Sequence, residues 1–299
     1  MQAPRIAGLA ARLLLSATLI AAPLAALAQK SYATPEAASE ALVKAIRDKD
    51  AKSLETVLGK DWKRFIPTDD LSHEDVQAFL AAWDKQHGIQ QESEGTALLT
   101  VGEQPGFTLP IPIVKNKSAQ WRFDPVAGKD RLRTARIGRN ELAAIQAVQA
   151  YYDAQLEYAS QDRSGEGVRE YARKLVSSDG ARDGLYWPSP LDIDRSPLGP
   201  LLAQQPPKGP GYWGYQYKIL TAQGKNARGG AYDYIIGGRM RAGFALVAWP
   251  VRYGDTGVMS FMINHEGVVY EKDLGPDTDA LARAMTRFDP DPSWRKTAP

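Results

Sequence analysis

The chain has no cysteine. That excludes disulfides, thiolate chemistry and a lipidated cysteine anchor, so the core must hold the fold alone. Histidine is scarce as well: His73, His87 and His265 are the only three. They form no His-x-x-x-His pair and have no cysteine partner, so zinc sites of the usual kinds are not expected. No metal ligand set and no cofactor is predicted. Nucleophile elbows of the Gly-x-Ser-x-Gly type are absent, as are P-loops and Gly-x-Gly-x-x-Gly fingerprints. A Ser-His-Asp triad dispersed along the chain stays open. The glycines at 229–230, 237–238 and 243 fit turns flanking strands, where a missing Cβ permits positive φ.

Long apolar runs are also missing, with one exception. Arg5 and Arg12 precede an apolar run from Leu13 to Leu27, broken by Pro23 and ending in Ala26-Leu27-Ala28. This three-part layout predicts a secretory signal peptide cleaved after Ala28. The run is shorter than the ~20 residues a membrane helix needs, so no anchor is expected once it is removed. The chain after it is expected to be soluble and periplasmic or secreted. An excess of one charge is lacking too. The whole chain has 37 basic and 35 acidic residues, and the predicted signal removes two arginines and no acid. The remainder is balanced, which gives no electrostatic basis for binding nucleic acid or anionic lipid.

Periodicity divides the remainder into three, after a signal at 1–28: an α+β region at 29–125, central helices and a Pro/Gly-rich loop at 126–210, and an antiparallel sheet at 211–299. The fold class expected is α+β. In the first region, Thr34-Pro35 caps one helix and Asp50 a second. Ser72 with Asp75 resembles a capping box for a third helix carrying Val76, Phe79, Leu80 and Trp83, which Gly88 ends. Strands follow at 96–101 and 119–123. The segment 109–114 carries Pro110 and Pro112, which predicts an edge strand or extended stretch.

Asn140 then predicts the start of an amphipathic helix burying Leu142, Ile145, Val148, Tyr152, Leu156 and Ala159. Arg136 and Arg139 would precede that start, where positive charge opposes the helix dipole. They are expected to find carboxylates elsewhere, with Glu141 as a local one. Val168, Tyr171, Ala172 and Leu175 suggest a further helix. In the last region 215–219 alternates, 244–249 is apolar on both faces, and the strands at 258–263 and 268–270 flank a hairpin loop at 264–267. His265 reads there as a solvated turn residue.

Several of these segments together resemble the bacterial domain-of-unknown-function family 2950. They are Ile111-Pro112-Ile113, Trp121-Arg122-Phe123-Asp124, the stretch from Arg136 to Ala159, Asp183-Gly184-Leu185-Tyr186-Trp187-Pro188, and Gly230 to Leu274. The resemblance runs from about 30 to 285. It implies an exported bacterial protein and carries no reaction with it.

Two sets of residues remain as site candidates. Asp153 and Glu157 share a helix face, and with Asp183 they are the carboxylates that a hydrolase acting on envelope glycan or peptide would use. Tyr186 and Trp187, then Tyr212 and Trp213, are adjacent aromatic pairs set among Gly, Pro and Asp. Such rings serve as stacking platforms for sugars or peptides, or plug a loop onto the core. The reading this favours is a non-catalytic binding or scaffold protein of the cell envelope, with an envelope protein or glycan as partner.

Overall fold

The computed structural model describes residues 29–66, 73–103, 106–163, 165, 167–189, 195–203, 209 and 211–297. The predicted signal peptide and Ser72 of the predicted capping box lie outside these residues. Helix α1 (Pro35–Arg47) starts as its sequence requires, with the Thr34 hydroxyl accepting from Ala37 N. Helix α2 (Ala51–Leu58) is capped by Asp50, whose carboxylate accepts from Lys52 N and Ser53 N. Helix α3 (His73–Lys85) follows.

These helices cover a sheet of order β1-β2-β4-β5, with β3 also on β2. Its strands are β1 (His87–Ser93), β2 (Thr96–Val101), β3 (Phe107–Thr108), β4 (Ile113–Lys115) and β5 (Trp121–Phe123). Leu42, Val57 and Leu58 pack there on Ala97, Ile113 and Phe123. Pro110 and Pro112 lie just ahead of β4, so they do not force it to the edge; it pairs on both sides. His87 begins β1 and stacks on Trp83 with ring centroids 3.7 Å apart.

Helix α4 (Lys129–Ala159) is 31 residues long, about 46 Å at the usual rise. It starts well before Asn140, so Asn140, Arg136 and Arg139 are interior helix positions and the dipole conflict does not arise. Its first turns anchor in the N-terminal core through Leu132, and the rest packs on the C-terminal sheet. The buried face is Ala144, Ala147, Val148, Tyr151, Ala154, Gln155 and Tyr158. Leu142 and Leu156, expected inside, are 65 % and 43 % exposed. Size and polarity explain the difference. Alanines let the helix lie close to the sheet, and the polar tips of Tyr151 and Gln155 find partners in the core. Tyr151 Oη donates to Ala245 O at 3.2 Å, and Gln155 Nε2 donates to Tyr151 Oη and to Ala172 O.

That last contact also explains why 168–175 is not a helix. Gln155 accepts from Ala172 N at 2.8 Å as well, and Tyr171 N donates to Met240 O. The backbone groups a helix would use are bonded sideways, and the segment runs as an extended strap. A short helix α5 (Pro200–Ala203) follows.

The main C-terminal sheet is antiparallel and contains β6 (Tyr215–Leu220), whereas β7 (Ala222–Gln223), β8 (Tyr232–Asp233), β9 (Ile235–Ile236) and β10 (Arg239–Met240) belong to small satellite sheets. Strands β11 (Ala245–Pro250), β12 (Met259–Asn264) and β13 (Tyr270–Asp273) come next, then α6 (Thr278–Ala284), β14 (Arg287–Phe288) and β15 (Arg295–Lys296). The main order is β15-β13-β12-β11-β6. Every residue of β11 is buried, as its unbroken apolar run predicts. Helix α6 reaches this strand through Asp279, which accepts from Trp249 Nε1 at 2.9 Å. Arg136 pairs with Asp255, a carboxylate from elsewhere as expected. Glu141 instead accepts from Val258 N and Met259 N, fixing the start of β12 to α4.

Candidate binding groove

The tightest feature near α4 is the turn at 211–215. Tyr212 N donates to Tyr215 O at 2.9 Å, and Tyr215 N donates to Tyr212 O at 3.2 Å. Trp213 and Gly214 therefore form a two-residue hairpin loop. Both have positive φ, +53° and +71°. This is the sign pattern of a mirror-image turn, which favours Asn-Gly because a Cβ at the first position is strained. A tryptophan there costs roughly 1–2 kcal/mol relative to an ordinary conformation.

Packing holds the turn in place. A Cβ at Gly214 would come within 2.9 Å of Asn140 Nδ2 and of Thr256 Cβ, and one at Gly211 within 2.1 Å of Tyr215 O. Asn140, buried in α4, donates to Thr256 O and closes the contact. The Arg139 guanidinium lies 5.4 Å from the centre of the Trp213 ring.

Tyr212 and Trp213 form one wall of a groove of about 400 Å³. Its floor is α4, through Ala143, Ala147 and Ala150, with the Gln146 amide between them. The opposite wall is Leu198, Pro200 and Leu202. Two aromatic rings set edge-to-face, a methyl floor and one amide suit a ligand with apolar faces and hydroxyl or amide edges. Asp153 and Glu157 continue the helix line that runs through Gln146 and Ala150, and both are exposed.

The other candidates lie differently. Trp187 is only 5 % exposed and belongs to the core with Leu185, Leu198 and Leu202. Guanidinium groups of Arg163 and Arg182 lie 5.0 and 5.7 Å from its ring centre. Its ring is packed rather than open, which is the loop-plugging alternative of the two readings the sequence left for that residue. Tyr186 is half-buried; its N–H donates to Leu175 O and its carbonyl accepts from Ser177 N. The cause is Gly184, whose bare Cα lets this loop close on the strap; a Cβ there would sit 2.6 Å from Ser177 N.

Asp183 is held by Lys174 Nζ at 2.6 Å, by Ser178 N at 2.7 Å and by Ser178 Oγ. The Lys174 contact, then Ser178, lower its carboxyl to about 2. A general acid needs the opposite shift. Among the described residues, no group of His, Asp and Glu is arranged to hold a metal ion.

His265 is a partly buried residue rather than a solvated one. It faces Tyr234 and Phe244 edge-on, and its Nε2 is 3.4 Å from Tyr232 Oη. Gly243 makes room, since a Cβ there would meet His265 Nδ1 at 2.6 Å. Burial lowers the imidazole pKa from its ordinary 6.5, outweighing the Glu266 carboxylate. The fold thus favours the neutral ring, and the unfolded chain binds the proton first as pH falls. Stability is fully present above about 6.5 and declines below it. Asp183 acts in a separate window, below about 4. We expect His265→Phe to flatten the urea-midpoint profile between about pH 5 and 7. An unchanged slope would contradict this placement of His265.

Fold and groove together define a cysteine-free, mixed α+β protein with an aromatic-walled cleft. Among the described residues, no helix is long and apolar enough to cross a membrane. Residues 29–297 match the family described as protein of unknown function (DUF2950), and the chain belongs to that family. No curated protein and no solved structure matches it.

Proposed function

We propose that this is an exported protein, cleaved after Ala28, that binds glycan of the cell envelope in the groove between Trp213 and Leu198 and does not act on it chemically. The observation that carries the reading is Trp213. A bulky ring is held on left-handed backbone, in a position suited to asparagine or glycine, and lines an open groove. Strain of this kind marks positions where the side chain is needed for something other than stability. Balanced charge fits an uncharged ligand better than nucleic acid or anionic lipid.

The alternative is a hydrolase using Asp153, Glu157 and Asp183. The lowered carboxyl of Asp183 and its three hydrogen bonds weigh against that role. The test is co-sedimentation of the mature protein with insoluble cell-wall glycan, followed by assay of the supernatant for released fragments. Retention without release supports the proposal. Release of fragments that stops in Asp153→Asn or Glu157→Gln would replace it with the hydrolase.

A further inference from the structure

The residues that follow the proposed cleavage site are docked from Gln29 onward. Lys30 N donates to Thr56 O at 2.8 Å. Tyr32 N donates to Trp121 O at 2.7 Å, and Trp121 N donates back to Tyr32 O at 2.8 Å. The Gln29 side chain reaches between two elements: its Nε2 donates to Val57 O at 3.0 Å and to Phe123 O at 2.6 Å. Thr56 and Val57 belong to the last turn of α2, whose carbonyls have no partner within the helix. Gly59 ends that helix beside the amide, and a Cβ there would lie 3.6 Å from Gln29 Cδ. One amide and one backbone N–H at the start of this segment therefore close the end of α2 and tie it to the end of β5.

Cleavage after Ala28, the reading on which this rests, leaves the α-amino group on Gln29. An amino-terminal glutamine has an intramolecular reaction open to it. The neutral α-amino nitrogen bonds to Cδ, the Cδ–Nε2 bond breaks, and Nε2 leaves as ammonia, taking the proton that the amine gives up. The product is a pyroglutamyl lactam, and no other reactant is needed. The departing atom is the one that donates to Val57 O and Phe123 O. Closing the ring on the docked chain therefore forfeits both hydrogen bonds and strands two part-buried acceptors. Donation by Nε2 to two carbonyls also strengthens the amide conjugation and makes Cδ a poorer electrophile. Docking and cyclisation thus exclude each other.

We propose that Gln29 is a modification site gated by the fold. While residues 29–32 are docked, the glutamine stays open and the amino terminus stays a free amine. When they detach, the residue cyclises, and the lactam, lacking Nε2, does not restore the clamp between α2 and β5. A pyroglutamyl end is then an irreversible mark that the N-terminal unit has opened.

The test follows the intact mass of the exported, mature protein during incubation at neutral pH, in buffer and in guanidinium chloride. The expected species in buffer begins at Gln29 and keeps its full mass. In guanidinium chloride a species lighter by one ammonia should accumulate at least about tenfold faster. Refolded after that loss, the protein should exchange its Lys30 amide with solvent faster than the uncyclised protein does. Gln29→Met keeps the length of the side chain but neither donates nor cyclises, and should match it. Equal rates of ammonia loss in the two solutions, or no loss in guanidinium chloride, would overturn the gating and leave the cleavage in place. An unaltered Lys30 exchange rate in both altered proteins would overturn the clamp on which the gating depends. A mass that starts at another residue would overturn the cleavage itself, and the proposal with it.

Discussion

Trp187→Ala is expected to lower stability by about 3–5 kcal/mol, the range for deleting a buried aromatic side chain. The ring closes the strap and loop at 171–189 against α4. Arg163 spans the contact, with its guanidinium 5.0 Å from the ring centres of both Tyr158 and Trp187. The Tyr158 hydroxyl donates to Arg182 O at 2.7 Å, so the same loop is also tied to the helix by a hydrogen bond. Deleting the indole leaves a cavity bounded by elements that cannot all move inward. A urea denaturation midpoint is the measurement. A midpoint close to that of the unaltered protein would place Trp187 outside the core and restore it as a candidate platform.

Gln155→Ala should cost a comparable amount for a different reason. The side chain is fully buried and joins three groups: Tyr151 Oη, Ala172 O and Ala172 N. Its removal strands the N–H and C=O of Ala172 away from water, at about 1–3 kcal/mol for each unsatisfied group. The loss should also be local. Exchange of the Ala172 amide with solvent should accelerate more than that of amides in β11. Uniform acceleration across the sheet, or none at Ala172, would show that the strap is held by something other than this amide.

Much of this fold was legible wherever one residue type has one physical use. Thr34-Pro35 and Asp50 mark helix starts because their side chains replace missing backbone partners. The unbroken apolar run of β11 announces a strand covered on both faces. Legibility failed where the core uses small or polar residues. The interior face of α4 consists mainly of alanines, tyrosines and a glutamine, so a search for large apolar side chains found Val148 and the core-packed Ile145 and Tyr152 but also took in the exposed Leu142 and Leu156. Strand β1 escaped notice because most of its residues are exposed and it has no alternation to read. The strap at 168–175 has helical spacing, but Gln155, distant in sequence, decides its conformation.

The candidate site was half visible. Tyr212 and Trp213 stood out as adjacent aromatics, whereas the backbone of Trp213 could not be read. The bracketing Gly211 and Gly214 were the available signal, since two glycines around two aromatics suggest a turn too tight for other residues. Trp187 shows the converse. Adjacent aromatics in a Pro/Gly-rich loop can be platform or plug, and a glycine contact, here Gly184 on the strap, folds this loop inward.

The central claim is that Trp213 is retained at a strained position for binding. Trp213→Asn addresses it directly, because asparagine accepts left-handed backbone and keeps the turn while removing the ring. We expect a thermal midpoint close to that of the unaltered protein, since the relieved strain of about 1–2 kcal/mol offsets the loss of a partly buried stack on Arg139, worth about 1–2 kcal/mol. Retention on insoluble cell-wall glycan should be lost in the same variant. A variant that melts earlier and still sediments with the glycan would contradict the account, and would make Trp213 a packing residue of the hairpin.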